Sequence, residues 1–130
     1  MATFPEVAEG VRAAIAAYTH ALDDGRTDDV VATYCADGGC DLPGLGTFHG
    51  HEELRTGYEG WKPKVPVRHL VVNTLVTDWT EGEAHAVSDV VVLVQRDRAW
   101  SVQVVGRYED TLRLDGDRWR FHHRRGVFEG

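Results

Sequence analysis

A proline at position 66 divides this chain into two kinds of pattern. Before it, apolar residues recur at steps of three and four. After it they alternate, nearly to the end. The first period places side chains on one face of a helix, the second on one face of a strand. A chain that changes period once builds helices first and a sheet afterwards. That is an α+β architecture, without the repeated crossovers of a parallel α/β sheet.

The helical part opens with Phe4, Val7, Val11, Ile15, Tyr18 and Leu22 on one face, and a run of alanines raises its propensity. Gly25 is placed to end this helix in the left-handed conformation. Thr27 reads as the N-cap of a short second helix over residues 28–34. The glycine-rich stretch 38–50 predicts a short strand, a turn and another short strand, and 51–61 a third helix interrupted at Gly57. Beyond Pro66, residues 67–79, 83–97, 99–115 and 118–128 are four strands. Their short connections, "TEGE", "RDRA" and "DGDR", pair them as an antiparallel meander. No linker or repeat divides the 130 residues, so 1–130 is expected to be a single domain.

Composition narrows the functional classes. A net charge of -7 argues against nucleic acid as a partner, since phosphate binding needs a basic surface. No apolar run is long enough to span a membrane. The start, "MATFPEVAEG", lacks the pattern of a secretory signal, and Cys35 and Cys40 form no CxxC pair, so reduced thiols and a cytoplasmic location are expected. There is no phosphate loop and no nucleophile elbow. "HGH" at 49–51 lacks a third metal ligand, so neither metal nor cofactor is expected.

The strands carry polar groups on faces that should be buried. Trp100, Val102, Val104, Gly106, Tyr108, Asp110, Leu112 and Leu114 share one face of the third long strand. Trp119, Phe121, His123 and Val127 share one face of the last, which leaves His122 to solvent, and His69, Val71, Asn73 and Leu75 share one of the first. Asp110 is expected to pair with Arg118, Arg120 or Arg125. Taken alone, His69 or Tyr108 reads as a hydrogen-bonded core residue. Together on a curved sheet, such groups describe a pocket for an apolar ligand. The opposite face holds Val87, Val91, Leu93 and Val105, apolar enough to predict a homodimer or higher homo-oligomer.

Asp23, in "HALDDGRTDD", needs a separate reason. It borders the apolar face in the last turn of the first helix, where the dipole disfavours a carboxylate. Partial burial disfavours it further. A basic imidazole would compensate both. Asp28 and Asp29, at the start of the next helix, need no such partner.

"YTHALDDGRTDDVVATYCADG", "FHGHEELR", "RHLVVN" and "GRYEDTLRLDGDRWRFHHR" resemble the SnoaL-like domain of the nuclear transport factor 2-like superfamily, over about residues 7–127. The resemblance implies a cone, in which a curved, mostly antiparallel sheet wraps the long first helix. Within the superfamily the motifs look most like scytalone dehydratase and the bile acid dehydratases, which implies Asp23 and His69 as a catalytic pair. It also implies Tyr18 and Tyr108 as pocket residues, and the strand faces add Asn73 and His123 as expected substrate contacts. Two features depart from scytalone dehydratase: valines stand around 92–94 in place of its second catalytic histidine, and Leu22 and Leu42 in place of two tyrosines. The implied activity is cofactor-free proton transfer (dehydration, isomerisation or cyclisation) on an apolar, oxygenated small molecule of polyketide-like, terpenoid or aromatic type. The alternative is a non-catalytic binding or accessory protein, with Asp23 and His69 as a structural pair.

Overall fold

Thr3 accepts a hydrogen bond from the Glu6 backbone N–H and starts helix α1 (Phe4–Asp23). The structure, a computed structural model, describes residues 2–129. After α1 come α2 (Thr27–Ala32), β1 (Tyr34–Leu42), β2 (Gly46–His49), α3 (Gly50–Glu59), β3 (Val67–Trp79), β4 (Glu83–Arg96), β5 (Ala99–Asp115) and β6 (Arg118–Glu129). The six strands form one curved sheet in the order β2-β1-β6-β5-β4-β3, antiparallel throughout except for β1 against β6. The predicted α+β class, helices first and meander after, is the observed one. Among the described residues, no helix is long and apolar enough to cross a membrane.

Helix α1 buries the predicted face, with Val7, Val11, Ile15, Tyr18 and Leu22 all under 5% exposed. Phe4 is the exception and stacks on Trp79 at the rim. Two local expectations change. Helix α2 begins at Thr27, which is buried and makes no cap, and it stops at Ala32 so that Tyr34 already lies in β1. Helix α3 runs through Gly57 without a break. A side chain there would meet the Phe48 ring at 2.7 Å, so the glycine lets β2 pack against the helix.

β-Bulges in β3, β5 and β6 decide which side chains face the helix. A bulge adds one residue to one strand, and every side chain beyond it changes face. On β5, Val104 pairs with Val92 but Val102 pairs with Leu93, so Gln103 is the extra residue. Beyond it Trp100 and Val102, expected inside, are 46% and 60% exposed. Leu114, near the β5–β6 turn, is exposed as well. On β6, Phe121 pairs with Leu112 and His123 with Thr111, which leaves His122 as the extra residue. His123, expected inside, is therefore exposed, and Arg124 is buried instead. On β3, Asn73 and Thr74 lie between the pairs Val72–Asp89 and Leu75–Val87, with Asn73 at φ 55°.

Arg124 occupies the centre of the core. Its Nε and an Nη donate to the two oxygens of Asp110 at 2.8 and 2.9 Å, and both side chains are 0% exposed. The guanidinium lies 3.8 Å from the Tyr108 ring centroid and 4.4 Å from those of Tyr18 and Phe121. The expected partners of Asp110 were Arg118, Arg120 and Arg125. The bulge at His122 puts Arg124 there instead, while Arg125 pairs outside with Glu109. Burial alone would lower the pKa of Arg124; the Asp110 carboxylate outweighs it and holds the pKa well above the usual guanidinium value.

Beside this pair, the hydroxyls of Tyr18 and Tyr58 are 2.6 Å apart and those of Tyr58 and Tyr34 are 2.8 Å apart. Burial raises the pKa of all four tyrosines, these three and Tyr108. An unfolded tyrosine loses its proton near pH 10, while the folded protein still holds it. Stability is therefore complete below that pH and falls as pH rises above it, by about 1.4 kcal/mol per pH unit for each tyrosine. Urea midpoints measured from about pH 8 to about pH 11 should stay level and then drop steeply. A flat alkaline limb would contradict this account.

Candidate active site

The end of α1 is built to hold Asp23 in place. The Gly25 N–H donates to the Leu22 carbonyl and the Arg26 N–H to the Ala21 carbonyl, with Gly25 at φ 69°. This reciprocal closure needs a left-handed residue, which glycine adopts without a Cβ penalty. Gly25→Ala should cost about 1 kcal/mol or more, read as a lower urea midpoint.

Asp23, the last residue of the helix, faces β3. Strand β3 is an edge of the sheet, so some of its backbone N–H groups lack a strand partner. The His69 N–H is satisfied by Asp23, at 3.0 Å to Oδ2 and 3.3 Å to Oδ1. The His69 ring Nδ1 lies 2.6 Å from Asp23 Oδ1. One carboxylate thus clamps the backbone and the ring of the same residue. Asp23 and His69 side chains are 7% and 9% exposed. Nδ1 faces Asp23, so the ring nitrogen left for a ligand is Nε2, which has no hydrogen-bond partner among the described residues.

His69 pairs with Val92, which faces inward, and its ring lies 6.4 Å from that of Trp61. Together with Leu22, Val65, Val94 and Phe128, these residues line a cleft of about 610 Å³. Its mouth carries the exposed side chains of Lys64 and Arg96, and of Lys62, which is paired with Glu59 at 2.8 Å. A second depression, about 700 Å³, runs between α1 and the edge of β3 and touches both Asp23 and His69. Both have largely apolar walls; His69 lines both, whereas Asp23 lines only the second. The cleft lining offers a metal ion a single imidazole, so its donor set does not suit one.

The remaining predicted site residues fall elsewhere. Tyr18 and Tyr108 are each 1% exposed and pack around Arg124. Asn73 sits at the β3 bulge and donates to Asp89 Oδ2 at 2.9 Å; it borders the outer depression. That bond, followed by the Arg107 contact, lowers the pKa of Asp89. His123 is on the outer face, for the reason of parity given above. Trp61, Lys64 and Arg96 were not singled out from the sequence. The proline-flanked loop 61–66 carried the available signal, an aromatic and two lysines held near the strand that bears His69.

The fold and this pair define an α+β protein, a curved sheet over a long first helix, with the imidazole of a carboxylate-paired histidine at the wall of a largely apolar cleft. The chain belongs to the SnoaL-like domain family, whose sequence profile matches residues 6–125. Among solved structures it is similar to ActVI-ORFA from Streptomyces coelicolor, with 19% identity, a TM-score of 0.84, and 95% of this chain and 97% of that one covered. A candidate scytalone dehydratase from Novosphingobium aromaticivorans shares 18% identity at a TM-score of 0.82, over 94% and 83% of the two chains. A nuclear transport factor 2-like protein with a cystatin-like fold from the same organism shares 19% identity at a TM-score of 0.79, over 97% and 90%. No curated protein matches the sequence. At these identities the likeness is one of fold.

Proposed function

We propose that this protein is a cofactor-independent enzyme that moves a proton on an apolar, oxygenated small molecule, with His69 as general base and then general acid and Asp23 as the residue that orients it. The observation that carries this reading is the 2.6 Å contact between His69 Nδ1 and Asp23, which leaves Nε2 available at the wall of the cleft. Ring orientation and support of the imidazolium by a carboxylate are what a catalytic histidine requires. A net proton shuttle accounts equally for dehydration, isomerisation and cyclisation, and the likeness to a candidate scytalone dehydratase supports the same class.

The test is exchange chemistry. Apolar cyclic ketones with enolisable protons are incubated with the protein in D₂O and followed by NMR. Deuterium should enter at the carbon next to the carbonyl, and only when His69 is present. Saturable binding of such ketones without exchange would instead support the second reading, a binding or accessory protein. Val92 and Val94 favour that alternative, because they place no second acid or base opposite the dyad.

Lys64 and Arg96 give the cleft a basic mouth on a chain of net charge -7. A ligand with an anionic end should therefore bind better than its neutral amide. Reversing both charges should weaken the acid by about three- to tenfold and leave the amide unchanged, since exposed ion pairs are each worth about 0.2–1 kcal/mol. Calorimetry with the matched pair of ligands decides it.

We further propose a homodimer through the outer face of the sheet, where Leu70, Val72, Val102, Val105 and Val127 are each more than 40% exposed. Light scattering at micromolar concentration should give twice the chain mass. A Val102→Glu variant should give the monomer.

A further inference from the structure

Away from the cleft, two irregularities in the sheet face each other. Tyr34 on β1 pairs with Phe121 and Gly39 with His123, so β1 advances from 34 to 39 while β6 advances from 121 to 123. The surplus of β1 is taken up in a tight loop. A side chain at Gly38 would come within 2.7 Å of the Phe121 carbonyl oxygen and 3.0 Å of that of Cys35, so the loop closes only on glycine. Opposite it stands His122, the extra residue of the β6 bulge. The result is a cluster of Cys35, Asp37 and His122 whose sulfur, oxygen and nitrogen donors all lie within 4.8 Å of one another.

These donors are not satisfied by one another. His122 Nδ1 is buried and has no hydrogen-bond partner, and its distance to Asp37 Oδ1, 3.9 Å, is beyond hydrogen-bond reach. Cys35 Sγ has only a long contact to the Arg120 carbonyl, 3.8 Å. Around a tetrahedral zinc, with bonds of about 2.0–2.3 Å, neighbouring donors stand roughly 3.3–3.7 Å apart. A small contraction would bring the three to that spacing. Asp37 is exposed and gives an approach from solvent.

We propose that Cys35, Asp37 and His122 form a binding site for a borderline-soft divalent cation of the zinc type, with its fourth position left to water. Thiolate and imidazole select against calcium and magnesium, which take oxygen ligands. Net charge does not do the selecting, because Arg113 lies 3.9 Å from Asp37 and partly neutralises it. Burial, and then Asp115 and Asp37, push the Cys35 thiol up, so metal entry must displace a proton. The bound ion would clamp β1 to β6. The site is independent of the dyad.

The experiment is titration of the purified, metal-stripped protein with cobalt(II) and zinc(II). Cobalt should give one equivalent of tetrahedral d–d absorption and a thiolate-to-cobalt charge-transfer band, and zinc should displace it and raise the Tm. Cys35→Ser should abolish the charge-transfer band. His122→Gln should weaken binding by more than about tenfold, since even outer-shell changes cost about 10–100-fold. Cys40→Ser and His123→Ala should bind as the parent does. Absence of the charge-transfer band, or equal binding by parent, Cys35→Ser and His122→Gln, would mean an adventitious ion only and overturn the site. Should Cys35→Ser fail to fold, His122→Gln and the cobalt spectrum of the parent still decide.

Discussion

Asp110→Ala should lower the free energy of unfolding by about 3–5 kcal/mol, the cost of stranding a buried charge. Arg124 is 0% exposed, and its two side-chain hydrogen bonds end on Asp110. Its stacking on Tyr108, Tyr18 and Phe121 would survive the change, but rings alone do not replace a carboxylate. The double variant Asp110→Leu with Arg124→Met should recover a large part of the loss, because a well-packed apolar pair can match a buried ion pair. Urea denaturation of the parent, both single variants and the double closes the cycle. A loss below about 1 kcal/mol for Asp110→Ala would show that Arg124 is relieved in some other way.

His69→Ala should reduce kcat/KM by about a hundred- to ten-thousandfold in the exchange assay, the usual contribution of a positioned general base. Asp23→Asn keeps the shape but presents an amide N–H₂ or a weaker acceptor to Nδ1–H, so the ring loses its fixed tautomer and the support for its charged form. It should lower kcat more than it changes KM. Its loss should not be additive with that of His69→Ala, because the two residues act as a unit. A merely structural pair behaves differently: either variant loses stability, and ligand turnover, once corrected for the folded fraction, stays put. Nitrogen NMR of His69 gives a readout that needs no substrate. In the neutral ring a single tautomer, with the proton on Nδ1, is expected in the parent, and a mixed tautomer in Asp23→Asn.

The Asp23–His69 pair was legible in the sequence, and the rest of the cleft was not. Asp23 stood out because a carboxylate at the C-terminal end of a helix, next to its buried face, opposes both the dipole and desolvation. The structure supplies the compensation through the ring and the backbone N–H of His69. Asp28 and Asp29, by contrast, lie in the first turn of α2, and their partners there are exposed arginines, Arg55 and Arg26. The limits of the four long strands, β3 to β6, were legible as well, since alternation and the short turns mark their ends.

The faces were legible only as far as the first bulge. His123 and Arg124 show why. Counting by twos from Phe121 puts His123 inside, and nothing in "FHHRR" contradicts it. The extra residue His122 reverses the parity, so an arginine enters the core and a histidine leaves it. The same event at Gln103 turned Trp100 and Val102 outward. The sequence by itself determined the class of fold, the order of its elements and the one misplaced carboxylate, because periodicity, turn chemistry and the helix dipole are local. Only the tertiary structure decided which polar groups meet. A bulge is set by register between strands far apart in the chain, and one residue of register moves every later side chain to the other face.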